Sequence, residues 1–219
     1  MFDFTTLGTF VAVVLGLFLI PGPAVLLVLT RTVQGGRKTG ILTGLGIASG
    51  DFVHTLCASI GLSALLMTSA LAFNVVKLVG AAYLVYLGIR ALLEKQSAAA
   101  TQGDASPPGE ATSRAGALTP AKAFLQAIPA EVLNPKTALF FLAFLPQFVH
   151  PEHGSSIIQF TVLGLIFVGL SAAYTTLIAL TIRPLGKLVR RLSWLARWQG
   201  KIVGTIFISL GLKVATQHR

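Results

Sequence analysis

The stretch "LFLIPGPAVLLVL", residues 17–29, sets Pro21-Gly22-Pro23 in the middle of an otherwise unbroken apolar run. Proline has no backbone donor and its ring clashes with the preceding turn, and glycine adds backbone freedom, so a helix through this run must break here. The surrounding chain is 54% apolar and 11% charged, with a mean hydropathy of +0.79. Apolar runs long enough to cross a bilayer, about 20 residues each, occur at 4–30, 40–66, 70–93, 120–148, 155–182 and 199–216. This pattern predicts an all-α polytopic membrane protein with six transmembrane helices, the first broken at Pro21–Pro23 and the fourth at Asn134-Pro135.

The net charge of +10 would suggest a nucleic-acid partner in a soluble chain. In a membrane protein, basic residues gather in cytoplasmic loops instead, and no nucleic acid is expected. Arg31, Arg37 and Lys38 follow segment 1, Arg90, Lys95, Arg114 and Lys122 flank the third connection, and Arg183, Lys187, Arg190, Arg191, Arg197 and Lys201 the fifth. The opposite side holds Lys77, Lys213 and Arg219. The expected topology places the odd-to-even loops in the cytoplasm and both termini outside. The N-terminal run has Asp3 as its early charge and no small-residue cleavage site, so it reads as a span and not as a cleaved signal. Cys57, the one cysteine, falls in segment 2 and has no partner for an intrachain disulfide.

Residues 94–119, "EKQSAAATQGDASPPGEATSRAGALT", have no apolar stripe and read as a flexible cytoplasmic linker. It separates two halves, 1–93 and 120–219, of three segments each. Segment 3 reads "KLVGAAYLVYLGIRAL" from Lys77 and segment 6 "KIVGTIFISLGLKVA" from Lys201, so the pattern K-(L/I)-V-G followed by L-G-(I/L)-(R/K) recurs in each half. The breaks in segments 1 and 4 match as well. With an odd number of spans per half, the copies are inverted with respect to each other, an arrangement that places a solute site at the midplane between them.

A broken helix presents unpaired carbonyls at one end and unpaired N–H groups at the other. Pro23 suits the first turn of the second half of segment 1. Asn134 suits an N-cap, with Pro135 next to it. The paired ends of Pro21, Gly22, Pro23, Asn134, Pro135 and Lys136 suit a zwitterion, with carboxylate at the N–H ends and ammonium at the carbonyl ends. Simple packing kinks are the competing reading.

Asp51 lies about 17 Å into segment 2 at 1.5 Å per residue, near the bilayer centre. A charge there costs at least about 2.5–3.5 kcal/mol. Proton coupling or ammonium binding is the favoured role, and a structural salt bridge with Lys136 the other. His54 sits on the same helix face, as a proton relay or a satisfied core histidine. Glu131 is placed nearer the cytoplasmic interface, where it carries little weight. Gly36, Gly40, Gly44 and Ala48, with Gly46 and Gly50 on a neighbouring track, predict close helix packing around segment 2.

Enzymatic motifs are incomplete. "GGRKTG" at 35–40 lacks the first glycine of a phosphate-binding loop and reads as a basic turn. "GLSA" at 61–64 and 169–172 lacks a suitable histidine for serine chemistry, and "ASGD" at 48–51 lacks a second membrane aspartate for a carboxylate dyad. No Cys/His cluster has metal-ligand spacing. Neither catalysis, a metal nor a cofactor is expected.

Taken together, "PGPA" at 21–24, "GGRKTG" at 35–40, "GIASGD" at 46–51, "KLVGAAYLVYLGIRAL" at 77–92 and "NPKTALFFLAFLPQFV" at 134–149 resemble the lysine-exporter/homoserine-exporter (LysE/RhtB-type) translocators of bacteria. The resemblance implies a six-helix exporter of small amino acids or their derivatives in the bacterial inner membrane, driven by the proton gradient. Pro21, Gly22, Pro23, Asp51, Asn134, Pro135 and Lys136 match its characteristic motifs. Efflux of an inorganic cation or another metabolite, and a non-transporting membrane role, stay open at this point, as do the particular amino acid and a homo-oligomeric state.

Overall fold

The computed structural model of the protein describes residues 2–19, 22–93 and 119–189, together with 205, 208 and 209. Pro21, most of the linker at 94–119, and segment 6 at 199–216 with its Lys201 motif lie largely or wholly outside the described residues. Among those described, every regular element is helical.

The Pro-Gly-Pro run breaks the chain as its chemistry requires. Helix α1 (Phe4–Leu19) ends before it and α2 (Pro23–Cys57) begins on Pro23, with Gly22 extended between them at φ −130° and ψ 179°. The apolar helical stretch Pro23–Leu66 runs for 44 residues. Drawn straight it would extend about 66 Å, twice the hydrocarbon thickness. It is not straight: Gly36 adopts φ 81° and ψ 178°, which interrupts the helix. A methyl group on Gly40 would overlap the Thr32 side chain, although residues eight apart on a straight helix are separated by about 12 Å. The chain therefore doubles back at Gly36 into two arms, 23–35 and 37–57. The left-handed φ is one that glycine adopts without strain. Gly36, assigned from the sequence to the helix-packing track, is thus the reversal itself, and "GGRKTG" is the turn.

The second arm widens through a π turn at Ala58–Leu62 and ends in α3 (Ser63–Thr68), followed by α4 (Ala70–Leu93). Helix α5 (Pro120–Val132) starts on Thr119, whose hydroxyl accepts from Lys122 N at 3.3 Å. Helix α6 (Pro135–Phe144) follows after a bend of 51°. A short 3-10 turn, a loop and α7 (Ser156–Val189) complete the described chain. Buried Gln159 of α7 ties down that loop, donating from Nε2 to His150 O at 2.8 Å and to Gly154 O at 3.1 Å while its Oε1 accepts from His150 N.

The second arm of α2 is the hub, packing along α5 on one side and α7 on the other, while α4 lies on α6. Its glycines divide between these partners. Gly44 faces Thr175 of α7, Gly46 faces Phe124 and Ala127 of α5, and Gly50 faces Ile128 and Glu131 of α5. The i, i+4 spacing read from the sequence thus serves two neighbours at once, because small residues let backbones approach closely. Two apolar clusters result. One gathers Phe10, Phe140, Phe144, Phe148, Phe160 and Phe167, with Phe140 and Phe144 ring centroids 4.8 Å apart; the other joins Val28, Ile47, Ala127 and Ala179. Large apolar side chains such as Leu26, Val33, Leu45, Phe52, Ile60 and Leu177 point outward, as they do where lipid, not water, covers the surface.

A branched side chain has no room at Gly46, where a Cβ would lie 2.8 Å from that of Ala127. Gly46→Val is expected to cost about 1–3 kcal/mol and to lower the melting temperature in detergent. Gly169→Ala, where nothing lies within 4 Å of the added carbon, is expected to leave it unchanged or raised.

Candidate functional site

The two breaks meet. Gly22, between α1 and α2, lies against the Lys136 side chain, the second residue of α6. Together with Asp51 and Ile47 from the second arm of α2, and Phe167, Ser171, Tyr174 and Thr175 from α7, they enclose a cavity of about 430 Å³, its mouth included. The cavity lies between the two apolar clusters, with Leu17 and Phe167 from the first and Ile47 from the second on its wall.

Each break frees backbone groups that must find partners. The carbonyl end of α1 is capped by side chains: Lys136 Nζ donates to Leu17 O at 2.9 Å, and the Tyr174 hydroxyl donates to Phe18 O at 2.7 Å. At the second break Glu131 O accepts from Asn134 N at 2.9 Å. His54 Nε2 is 3.1 Å from the same carbonyl and is the donor, since a carbonyl oxygen only accepts. The start of α6 is capped by Asn134, whose Oδ1 accepts from Lys136 N at 3.1 Å. The start of α2 has no side-chain cap, and Pro23 brings no N–H. Ala24 and Val25, the next residues, line the cavity. Of the four half-helix ends, the N-terminus of α2 alone lacks a side-chain partner among the described residues.

Glu131 departs from its sequence-based placement. It is buried, 3% exposed, on the cavity wall and not at an interface. Asn134 Nδ2 donates to both of its carboxylate oxygens, at 3.2 and 3.1 Å, and the Thr137 hydroxyl donates to Oε1. Asp51, 1% exposed, lies beside Glu131 and Ser171, and its Oδ2 has no hydrogen-bond partner. The salt bridge weighed between Asp51 and Lys136 is not formed, because Lys136 reaches to the end of α1 instead. That contact also corrects the expectation of a solute ammonium at the carbonyl ends: at α1 the protein supplies its own.

Of the residues singled out from sequence, Gly22, Asp51, Asn134 and Lys136 converge on the cavity, while Pro23 and Pro135 each begin the helix that lines it. His54 stands behind the wall, its ring 5.7 Å from that of Phe141. The sequence reading sets Glu131 aside as interfacial, and Thr137, Ser171, Tyr174 and Thr175 escape it. The last three recur at i, i+3 and i+4 in an apolar helix, a polar stripe whose spacing marks an inward face.

The chain matches the family model described as LysE type translocator over residues 15–218. It belongs to the LysE type translocators. It is 34% identical to an uncharacterised membrane protein of Pseudomonas aeruginosa, over 97% of this chain and 95% of that one. It is 29% identical to the leucine efflux protein of Klebsiella pneumoniae, over 91% of this chain and 90% of that one, and 29% identical to the leucine efflux protein of Salmonella choleraesuis, over 90% and 89%. No solved structure matches it. As a translocator of this family it is a transporter that resides in the membrane.

Lys136 joins the two breaks through one ammonium. Lys136→Met retains the packing stem but strips the donor from Leu17 O. The expected cost is about 1.5–3 kcal/mol, the range for a hydrogen bond to a charged group, read as a lower melting temperature in detergent. Tyr174→Phe, which removes a neutral donor from Phe18 O, is expected to cost about 0.5–1.5 kcal/mol.

Proposed function

We propose that the protein exports small amino acids from the cytoplasm in exchange for protons. The observation that carries this reading is the charge complement of the cavity. Its wall brings the uncapped N-terminus of α2 and the Lys136 ammonium together with the carboxyl groups of Asp51 and Glu131. Helix N-termini and ammonium groups attract a carboxylate, and buried carboxyl groups attract an ammonium. A zwitterion satisfies both at once, whereas an inorganic cation would leave the N-terminus of α2 without an anion. Leu17, Val25, Ile47 and Phe167 supply an apolar wall for an aliphatic side chain, in keeping with the two relatives named as leucine efflux proteins.

In this reading the six spans form two inverted halves, 1–93 and 120–219, joined by the cytoplasmic linker at 94–119, with both termini outside. The corresponding breaks of the two halves supply the site, and rocking of one half against the other opens it alternately to each side. Gly22, Pro23 and Lys136 receive the carboxylate, with Pro21 fixing the break, Asn134 and Pro135 shape the second helix start, and Asp51 exchanges the proton. His54, hydrogen-bonded to the backbone, positions the end of α5. The partners are the amino acid, the proton and the bilayer.

The test is efflux from an exporter-deficient bacterial strain loaded with amino acids as dipeptides, leucine among them. The expected result is selective release that an uncoupler suppresses. Asp51→Asn is expected to lower that release by about tenfold or more while the protein stays in the membrane. Release of no amino acid from cells that contain the protein in their membrane would overturn the reading, and unchanged release by Asp51→Asn would remove the proton role of Asp51.

A further inference from the structure

Asp51 is not the only acid in the cavity. Glu131 arrives beside it from α5, and two features bring it there. Gly50, the residue before Asp51, leaves bare the spot where a Cβ would lie 2.6 Å from Glu131 Cβ. Asn134 and Thr137, from the start of α6, then hold the Glu131 carboxylate by three donated hydrogen bonds. Those donors require an acceptor, and an ionised carboxylate is an acceptor at both oxygens. Asp51 receives no comparable set, and its Oδ2 is buried without a partner. Two adjacent carboxyl groups that are each almost wholly buried do not both carry a charge without a compensating cation. The one cation on the cavity wall, among the described residues, is Lys136, which is engaged at Leu17 O.

We propose that the exchangeable positive charge is held by Asp51 and Glu131 together, as a carboxyl pair that shares one proton, with Glu131 as its fixed half. In the empty cavity Asp51 carries the proton and hydrogen-bonds through it to the Glu131 carboxylate. When the amino acid enters, its ammonium takes the place of that proton between the two carboxylates, and the proton passes to water. One proton leaves for the one ammonium that arrives, and the substrate carboxylate, which leaves the cavity one unit more negative, is met by Lys136 and the start of α2. The other titratable groups facing the pair are His54 from α2, Lys136 from α6 and Tyr174 from α7; α1 contributes none among the described residues. None of these replaces Glu131, since His54 bonds backbone and Tyr174 caps Phe18 O.

This inference rests on the export reading and differs from it in making Glu131 necessary. The deciding quantity is the number of protons released per leucine bound by the purified full-length protein. It is obtained by calorimetric titration near neutral pH in two buffers of different ionisation enthalpy. The wild type is expected to release about one proton per leucine, as a pair with a single shared proton must. Glu131→Gln is expected to release clearly less than the wild type at whatever affinity remains, because loss of the neighbouring negative charge removes the repulsion that helps hold the proton on Asp51. Glu131→Asp is expected to restore release, and Gly50→Ala, which forces the two acids apart while leaving both in place, to reduce it.

Release by Glu131→Gln equal to that of the wild type would overturn the pair and leave the role to Asp51 alone. Loss of leucine binding in both Glu131→Gln and Glu131→Asp would make Glu131 a structural residue and overturn it equally. A wild type that binds leucine without releasing protons would sink the pair but not the export reading. A wild type that binds no amino acid of the panel would sink both.

Discussion

Backbone groups freed inside a bilayer have no water to turn to, so whatever breaks a helix at that depth must also supply partners for its ends. The rest of this structure follows from that constraint. Pro21-Gly22-Pro23 and Asn134-Pro135 create four helix ends, and three of them are closed by side chains: Lys136 and Tyr174 from other helices on α1, His54 from α2 on α5, and Asn134 as the N-cap of its own α6. Lys136 does most to couple the breaks, since its backbone N–H belongs to one and its ammonium to the other. The first break is thereby fastened to the second, and the cavity is what remains between them. The unclosed end, at α2, is the one whose first residue is a proline and whose next two face that cavity.

Fastening the ends requires the helices to lie close, and the glycines of α2 allow it. A helix with ordinary side chains keeps its neighbours 8–10 Å away, axis to axis. Gly44, Gly46 and Gly50 remove that padding on two faces of one helix, so α5 and α7 both reach its backbone. Backbone proximity then dictates which side chains meet: because Gly50 admits α5, Glu131 arrives alongside Asp51. The packing residues and the polar residues are therefore parts of one arrangement, with the glycines setting the distance and the acids using it.

The electrostatics of the cavity follow from this crowding. Two acids and one base gather where isolated charges are expensive, and the base is already committed to a helix end. A surplus of one negative charge is left for whatever enters. A proton, or the ammonium of a zwitterion whose carboxylate meets the start of α2, each removes that surplus. In the proposed export cycle the one is exchanged for the other, by groups from α2, α5 and α6 at once.

Much of this was legible from local chemistry. Both breaks, the N-cap of Asn134, the basic turn at 35–40, and the helix boundaries at 4, 70, 93 and 120 depend on residue type and spacing along the chain, which proline geometry and helix rise translate directly into structure. The family resemblance carried by the same motifs agrees with the family match. What the chain order could not convey was which ends would meet across it. That Lys136 caps α1 across 119 residues, and that Gly36 reverses the chain instead of packing it, depend on how helices cross. Glu131 shows the difference most clearly: counted along α5 it sits near the end of a short helix, and a charge there has an obvious route to the interface. Only the bend at Asn134 and the bare surface of Gly50 turn that helix end inward, because burial is a property of neighbours and not of position in the chain.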